Sequence, residues 1–192
     1  MKEISALRRS ARRRVETSGR KKSAVLEWVT LEIALFTGLR VHEIASLSCG
    51  DLWLDSRSGS LLVQNGKGGK KRVVKFGECL GKDLREYLAW KRGRGEGVDG
   101  AAPLLLSSHT GGHLSTRAIQ KMFQRLSREA KVKNHRFHDL RHSYASHLYR
   151  ASGNNLRLVQ KQLGHSSIRT TEIYADILDG EAEKAVNAIY RK

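Results

Sequence analysis

The 192-residue chain has only two cysteines, Cys49 and Cys79, with no CxxC spacing. Isolated thiols cannot build a disulfide framework, and they point to a reduced, intracellular setting. Long apolar runs are also missing. The longest apolar-rich stretch, Ala24 to Phe36, is 13 residues and contains Glu27, Thr30 and Glu32, whereas a membrane-spanning helix needs about 20 apolar residues. The N-terminus has charge but no apolar segment of a secretory signal. Acidic residues are scarce: 19 Asp+Glu face 36 Lys+Arg, for a net charge of +17. Such a field does not help a monomer fold; it favours polyanions such as nucleic acid or an anionic surface. Hydrophobic content of 39% and aromatic content of 6% describe neither a fibrous nor a disordered chain.

The charge is uneven. Residues 1–22 hold nine Lys/Arg against two acids, and read as a basic arm, solvated or in contact with nucleic acid. Ala24 to Phe36 is apolar nearly all round, as in a buried helix, and Gly38 suits its C-terminal cap. A short helix follows over 41–47. Three β-rich runs, 51–55, 60–64 and 71–76, come next, the last two joined by an Asn-Gly-rich hairpin signal. Residues 78–91 are helical. Residues 93–102, with four glycines, read as a flexible loop and a tolerated break. The clearest amphipathic helix is 115–130, with Ile119, Met122, Phe123 and Leu126 on one stripe and Ser115 as N-cap. Helices over 138–149, 155–163, 166–174 and 181–190 complete a fold that is mainly α with a small three-stranded antiparallel β-sheet.

Several chemistries lack their residues. Gly66-Lys67-Gly68-Gly69-Lys70-Lys71 misses the phosphate-loop spacing, and no GxSxG elbow occurs. His138 and His142, four apart on a helix, could share a metal ion, but no Glu or Cys sits where a zinc motif needs it; the expectation is no metal and no cofactor. What remains is a set of cations beside breaks in structure: Arg40 after a helix end, Lys67 at a hairpin tip, His138 and Arg141 one helical turn apart, and His165 after Gly164. Tyr174 lies nine residues further on. Singly, each has a plain structural explanation: helix capping, solvation, or core packing. Together they suit one reaction. Two guanidiniums can grip the non-bridging oxygens of a phosphodiester, imidazoles can donate hydrogen bonds or move a proton, a lysine can protonate a leaving oxygen, and a phenol can attack phosphorus.

The segments TGLRVHEIASL (37–47), GKGGKKR (66–72), HDLRHSYASHL (138–148) and LGHSSIRTTEIYA (163–175) resemble, in order, the four signature blocks of the tyrosine recombinases, the phage-integrase family. The resemblance covers roughly 24–178. It implies the family's catalytic-domain fold, with Arg40 and Arg141 clamping the scissile phosphate and Lys67 acting as general acid. It also implies His138 as acceptor of the tyrosine proton, His165 as a phosphate donor and Tyr174 as nucleophile. Lys70 and Lys71 compete with Lys67 and otherwise fall to DNA contact. Glu43 and Asp139 match acids that support the basic residues. The implied partner is double-stranded DNA, worked on by a homo-tetramer from protomers that are monomeric in free solution, in the cytoplasm at the nucleoid and with no membrane. The implied product is a site-specific recombinase.

On this reading 1–22 is the arm, 23–178 the catalytic domain and 179–192 a helical tail. The tail's Ala182, Ala185, Val186 and Ile189 dock on a neighbouring protomer or on its own domain. The roughly 23 residues before the first expected catalytic-domain helix are too few for the DNA-clamping domain that usually comes first in the family, and 1–22 lack an obvious match to the helix that usually opens the catalytic domain. A type IB topoisomerase and a non-cleaving DNA-binding module are the competing functions.

Overall fold

The computed structural model of the chain describes residues 2–56, 58–66, 69–132, 135–165 and 171. Helix α2 (Lys22–Thr37) is the axis of the molecule. Its sequence is apolar almost all round, and twelve of its sixteen residues are buried, as expected of a helix surrounded by others. Helices α1 (Lys2–Thr17), α4 (Glu78–Gly93), α5 (Thr116–Glu129) and α6 (Phe137–Ala151) pack on it. It stops at Gly38, which is left-handed at φ 62° and returns its N–H to the Ala34 carbonyl. A Cβ there would lie 2.3 Å from the Tyr144 ring, so both the turn and the close approach of α6 require glycine.

After the short α3 (Val41–Ala45) and a 3-10 turn at Cys49–Asp51, three strands form an antiparallel sheet in the order β1 (Leu52–Leu54), β2 (Gly59–Val63), β3 (Arg72–Phe76). Leu61 is paired with Leu52 on one side and Val74 on the other; Leu61, Val63, Val74 and Phe76 are buried in the main core. Alternation of inward and outward residues sets this register. Ser115 caps α5 by accepting from the Ala118 N–H, and Asn155 caps α7 (Leu156–Leu163) by accepting from the Leu158 N–H. Helices α6 and α7 share a second small core of Ala145, Tyr149, Val159 and Leu163. The mainly helical fold with one three-stranded sheet agrees with the sequence reading; helices expected over 166–174 and 181–190 and the tail lie outside the described residues, apart from Thr171.

Two expectations are corrected. Residues 2–17 are a packed helix, not a solvated arm. Leu7, Ala11 and Val15, spaced four apart, are buried and form a narrow apolar stripe. Three of the cations around them, Arg8, Arg12 and Arg14, have partners within the fold. Arg8 Nε lies 2.9 Å from Glu32, and Arg14 Nε lies 2.8 Å from Glu27, both acids of α2 with almost no exposure. Arg125 of α5 also pairs with Glu27. Arg12 stacks on Trp28 with its guanidinium 4.6 Å from the ring and bonds Glu86, which also takes Arg20. A buried carboxylate left unpaired costs several kcal/mol, a cost that these arginines offset for the two acids of α2.

The glycine-rich stretch 93–102 is likewise held. The Cys49 N–H bonds the Ala102 carbonyl at 2.8 Å and the Gly50 N–H bonds the Gly100 carbonyl at 3.0 Å. Lys91, fully buried, gives its ammonium to the Gly97 carbonyl. Glu96 binds Lys22 at 2.9 Å.

Leu7→Ala is expected to destabilise the domain by about 2–5 kcal/mol in urea unfolding, the usual cost of emptying a core leucine site. A loss near zero would restore the solvated arm.

Candidate active site

Three of the signature segments meet at the C-terminal ends of α2 and α7. Arg40 occupies the N-cap position of α3, two residues beyond Gly38, with an extended backbone. Its own N–H donates to Glu43 Oε2 at 2.8 Å, and its Nη1 donates to Oε1 at 3.2 Å. Glu43, one turn into α3, is therefore both a helix cap and a brace for the arginine. Its side chain is fully shielded, while Arg40 retains 21% exposure, so the charge that faces solvent belongs to the guanidinium.

Arg141 comes from the second turn of α6 and is 3% exposed. It donates from Nη1 to the Gly38 carbonyl at 2.6 Å and from Nη2 to the Leu163 carbonyl at 2.8 Å. These are terminal carbonyls of α2 and α7, which carry partial negative charge and suit a cation. One side chain thus fixes the relative position of two helix ends that are more than 100 residues apart in sequence.

His165 follows Gly164, the left-handed residue that ends α7 at φ 67°. Its Nδ1 is 3.0 Å from the Thr171 hydroxyl. Burial together with Arg141, Arg40, Arg72 and His142 pushes its pKa down to about 4. The imidazole is therefore neutral near pH 7, in the field of Arg141, Arg40 and Arg72. His138, in the first turn of α6, stacks edge-on against His142 at 4.8 Å between ring centres. Burial, His142 and Arg141 lower its pKa, and Asp139 opposes them. Asp139 accepts the Arg136 N–H at 2.7 Å and so caps α6, the helix carrying His138 and Arg141.

Lys70 and Lys71 line a cleft of about 740 Å³ between the β2–β3 hairpin and α7, together with Arg72, Arg157, Lys161 and His165. Lys67 and Tyr174 lie outside the described residues. Among the described residues no three His, Cys, Asp or Glu side chains gather as a metal cluster, and no helix is long and apolar enough to cross a membrane.

The residue that sequence reasoning missed is Arg72. It grips Glu43 with two parallel bonds, Nη1 to Oε1 at 2.8 Å and Nη2 to Oε2 at 2.9 Å. Its signal was present only as the last cation of GKGGKKR, where spacing gave it no partner. Burial pushes the Glu43 carboxyl up, but the hydrogen bonds from Arg72 and the Arg40 backbone outweigh it and hold the group below its ordinary value.

A helical domain built around a buried α2, with a three-stranded sheet on one side and arginines at converging helix ends, has the architecture of a tyrosine recombinase catalytic domain. The profile of the phage integrase family matches residues 2–181, and the chain belongs to that family. Over 148 residues it is 40% identical to tyrosine recombinase XerC of Xanthomonas axonopodis pv. citri (strain 306), covering 77% of this chain and 45% of the relative. Over 159 residues it is 38% identical to tyrosine recombinase XerC of Vibrio campbellii (strain ATCC BAA-1116), covering 80% and 47%. The chain thus spans about half the length of these relatives. Among solved structures, XerA recombinase superposes with a TM-score of 0.75 at 25% identity, over 99% of this chain and 64% of that one. The XerH site-specific recombinase in its post-cleavage complex with palindromic difH substrate gives 0.75 at 26%, over 98% and 52%.

The sign of the Glu43 shift fixes a pH dependence. A carboxylate whose folded pKa lies below the ordinary 4.5 contributes stability above that value and loses it as pH falls through the folded one. The difference in urea stability between wild type and Glu43→Gln is expected to be largest near pH 6–7 and to shrink below about pH 4.5. A difference that does not vary with pH would mean that Glu43 is not held ionised.

Proposed function

We propose that this chain is the strand-cutting and strand-joining domain of a site-specific DNA recombinase, working through a covalent phosphotyrosine without metal or nucleotide. One observation carries the reading: Arg40, Arg141 and a neutral His165, from three separate sequence blocks, converge on the ends of α2 and α7. Such a cluster is suited to a phosphate diester and to the charge that gathers on its non-bridging oxygens during displacement.

The roles follow from chemistry. Arg40 and Arg141 hold the two non-bridging oxygens. The Glu43 bonds orient the first, and two helix-end carbonyls set the plane of the second, whose guanidinium carries five donors in a fixed fork. With Nδ1 of His165 accepting the Thr171 hydroxyl, the tautomer assigned here carries its hydrogen on Nε2 and donates it to the phosphate. Tyr174 supplies the attacking oxygen; its proton passes to His138, whose lowered pKa keeps it a free base at neutral pH. The bond from phosphorus to the 5′-oxygen breaks as the new bond to the tyrosine oxygen forms, and Lys67 protonates the departing 5′-oxygen. A 5′-hydroxyl of a partner strand reverses the step. One phosphate ester replaces another, so no external energy source is needed.

Double-stranded DNA is the partner in this reading. The basic cleft bearing Lys70, Lys71, Arg157 and Lys161 supports it, as do neighbours such as XerH bound to difH. Assembly as four protomers on two duplexes, the site of action at the nucleoid and the docking of tail 179–192 belong to the same proposal, supported by the family resemblance.

A pool of nicked suicide duplexes of randomised sequence tests the chemistry. Wild type is expected to form a denaturant-resistant protein–DNA adduct, and Tyr174→Phe none. No wild-type adduct overturns the enzyme reading, an adduct with Tyr174→Phe overturns the nucleophile, and plasmid relaxation without strand exchange favours a topoisomerase. Duplex affinity is also expected to fall by about two orders of magnitude between roughly 50 and 200 mM salt, as for about four phosphate contacts; a flat salt response contradicts the basic face.

A further inference from the structure

Arg72 opens β3, at the base of the hairpin that carries Lys67, yet its side chain is directed into the site. Besides the two bonds to Glu43, its Nε donates to the Gln162 carbonyl in the last turn of α7 at 3.2 Å. The side chain is 11% exposed. It lies flat against Gly164, where an added Cβ would stand 2.7 Å from Arg72 Cδ. Beside it the Gln162 amide is bonded to both the N–H and the carbonyl of Lys75, at 3.1 and 3.4 Å, closing the outer edge of β3 onto α7.

One guanidinium therefore joins three segments: the hairpin strand, the acid of α3 that braces Arg40, and the helix end that leads to His165. A lysine could keep the charge but not the geometry, because only the planar fork meets both carboxylate oxygens and a carbonyl at once. Lys70 and Lys71 line the open cleft beside it, whereas the hydrogen bonds of Arg72 run to protein groups.

We propose that Arg72 is a positioning residue: acting through Glu43 it sets the orientation of Arg40, and through Gln162 it ties the Lys67 hairpin to the His165 turn. This rests on the strand-transfer reading above for its consequence in catalysis. Its geometric part stands independently.

The test uses the full chain with Arg72→Ala and Arg72→Lys, the second guarding against simple failure to fold. In the free protein, the Arg40 guanidinium Nη–H signals, which report the bond to Glu43, are followed by NMR. They are expected to be sharp and slowly exchanging in wild type, and broadened or in fast exchange in both variants. Unchanged Arg40 signals in a folded variant overturn the proposal whether or not the wild type cleaves DNA. If the wild type forms the covalent adduct, its rate at saturating duplex is expected to drop about 10–100-fold in both variants, while half-saturation shifts less than twofold. The Arg72→Ala loss is expected to be clearly smaller when made on top of Glu43→Gln, the remainder being the Gln162 link. Weakened binding at an unchanged maximal rate, or fully additive losses, would make Arg72 a DNA contact and overturn the proposal. Absence of adduct in wild type counts against the strand-transfer reading alone.

Discussion

A carboxylate taken out of water needs strong partners, and three that are met by arginines organise this molecule. Glu27 and Glu32 lie in α2 and Glu43 in α3, all 2% exposed. Each is answered by arginine from elsewhere in the chain: Arg14 and Arg125, Arg8, and Arg72 with Arg40. The desolvation cost makes these pairs weak as net stabilisers and strong as specifiers, since a misplaced partner leaves a bare charge inside. The first two fix α1 and α5 on the central helix. The third fixes the site. Framework and site thus use the same kind of contact.

The site also depends on where helices stop. Gly38 and Gly164, both left-handed, end α2 and α7 and leave terminal carbonyls that Arg141 gathers. Arg40 sits two residues after one stop, and His165 one residue after the other. The cations are close together because these ends are, and burial, reinforced by the local field of the arginines, keeps His165 neutral. A histidine that stays uncharged beside three guanidiniums is a hydrogen-bond donor of constant character across the physiological range.

Much of this was legible in the sequence, for local reasons. The all-round apolar run of α2, the capping residue Ser115, the terminal glycines and the Asn-Gly signal between β-rich runs each speak through neighbours a few residues away. Arg40, His138, Arg141 and His165 were singled out as cations beside breaks in structure, and their joint role came only from the resemblance of the signature blocks. The misses were non-local. The apolar stripe of α1 is only Leu7, Ala11 and Val15 amid cations, and what turns those cations inward is a pair of acids up to 24 residues on. The glycines of 93–102 suggested freedom because the buried Lys91 that anchors them is a residue type seldom found inside. Arg72 looked like one more surface cation because its acid lies 29 residues before it.

The contact of Arg72 with Gly164 has a consequence for anyone recombining parts of such domains. The space a side chain would need at position 164 is already filled from the hairpin, and the hairpin's arginine is already committed to an acid in α3. A hairpin transplanted from a relative would arrive with its own occupant for that space, and a bulkier helix terminus would evict the resident one. Hairpin, short helix and helix end therefore transfer as one unit of inheritance, although the chain writes them as three separate passages.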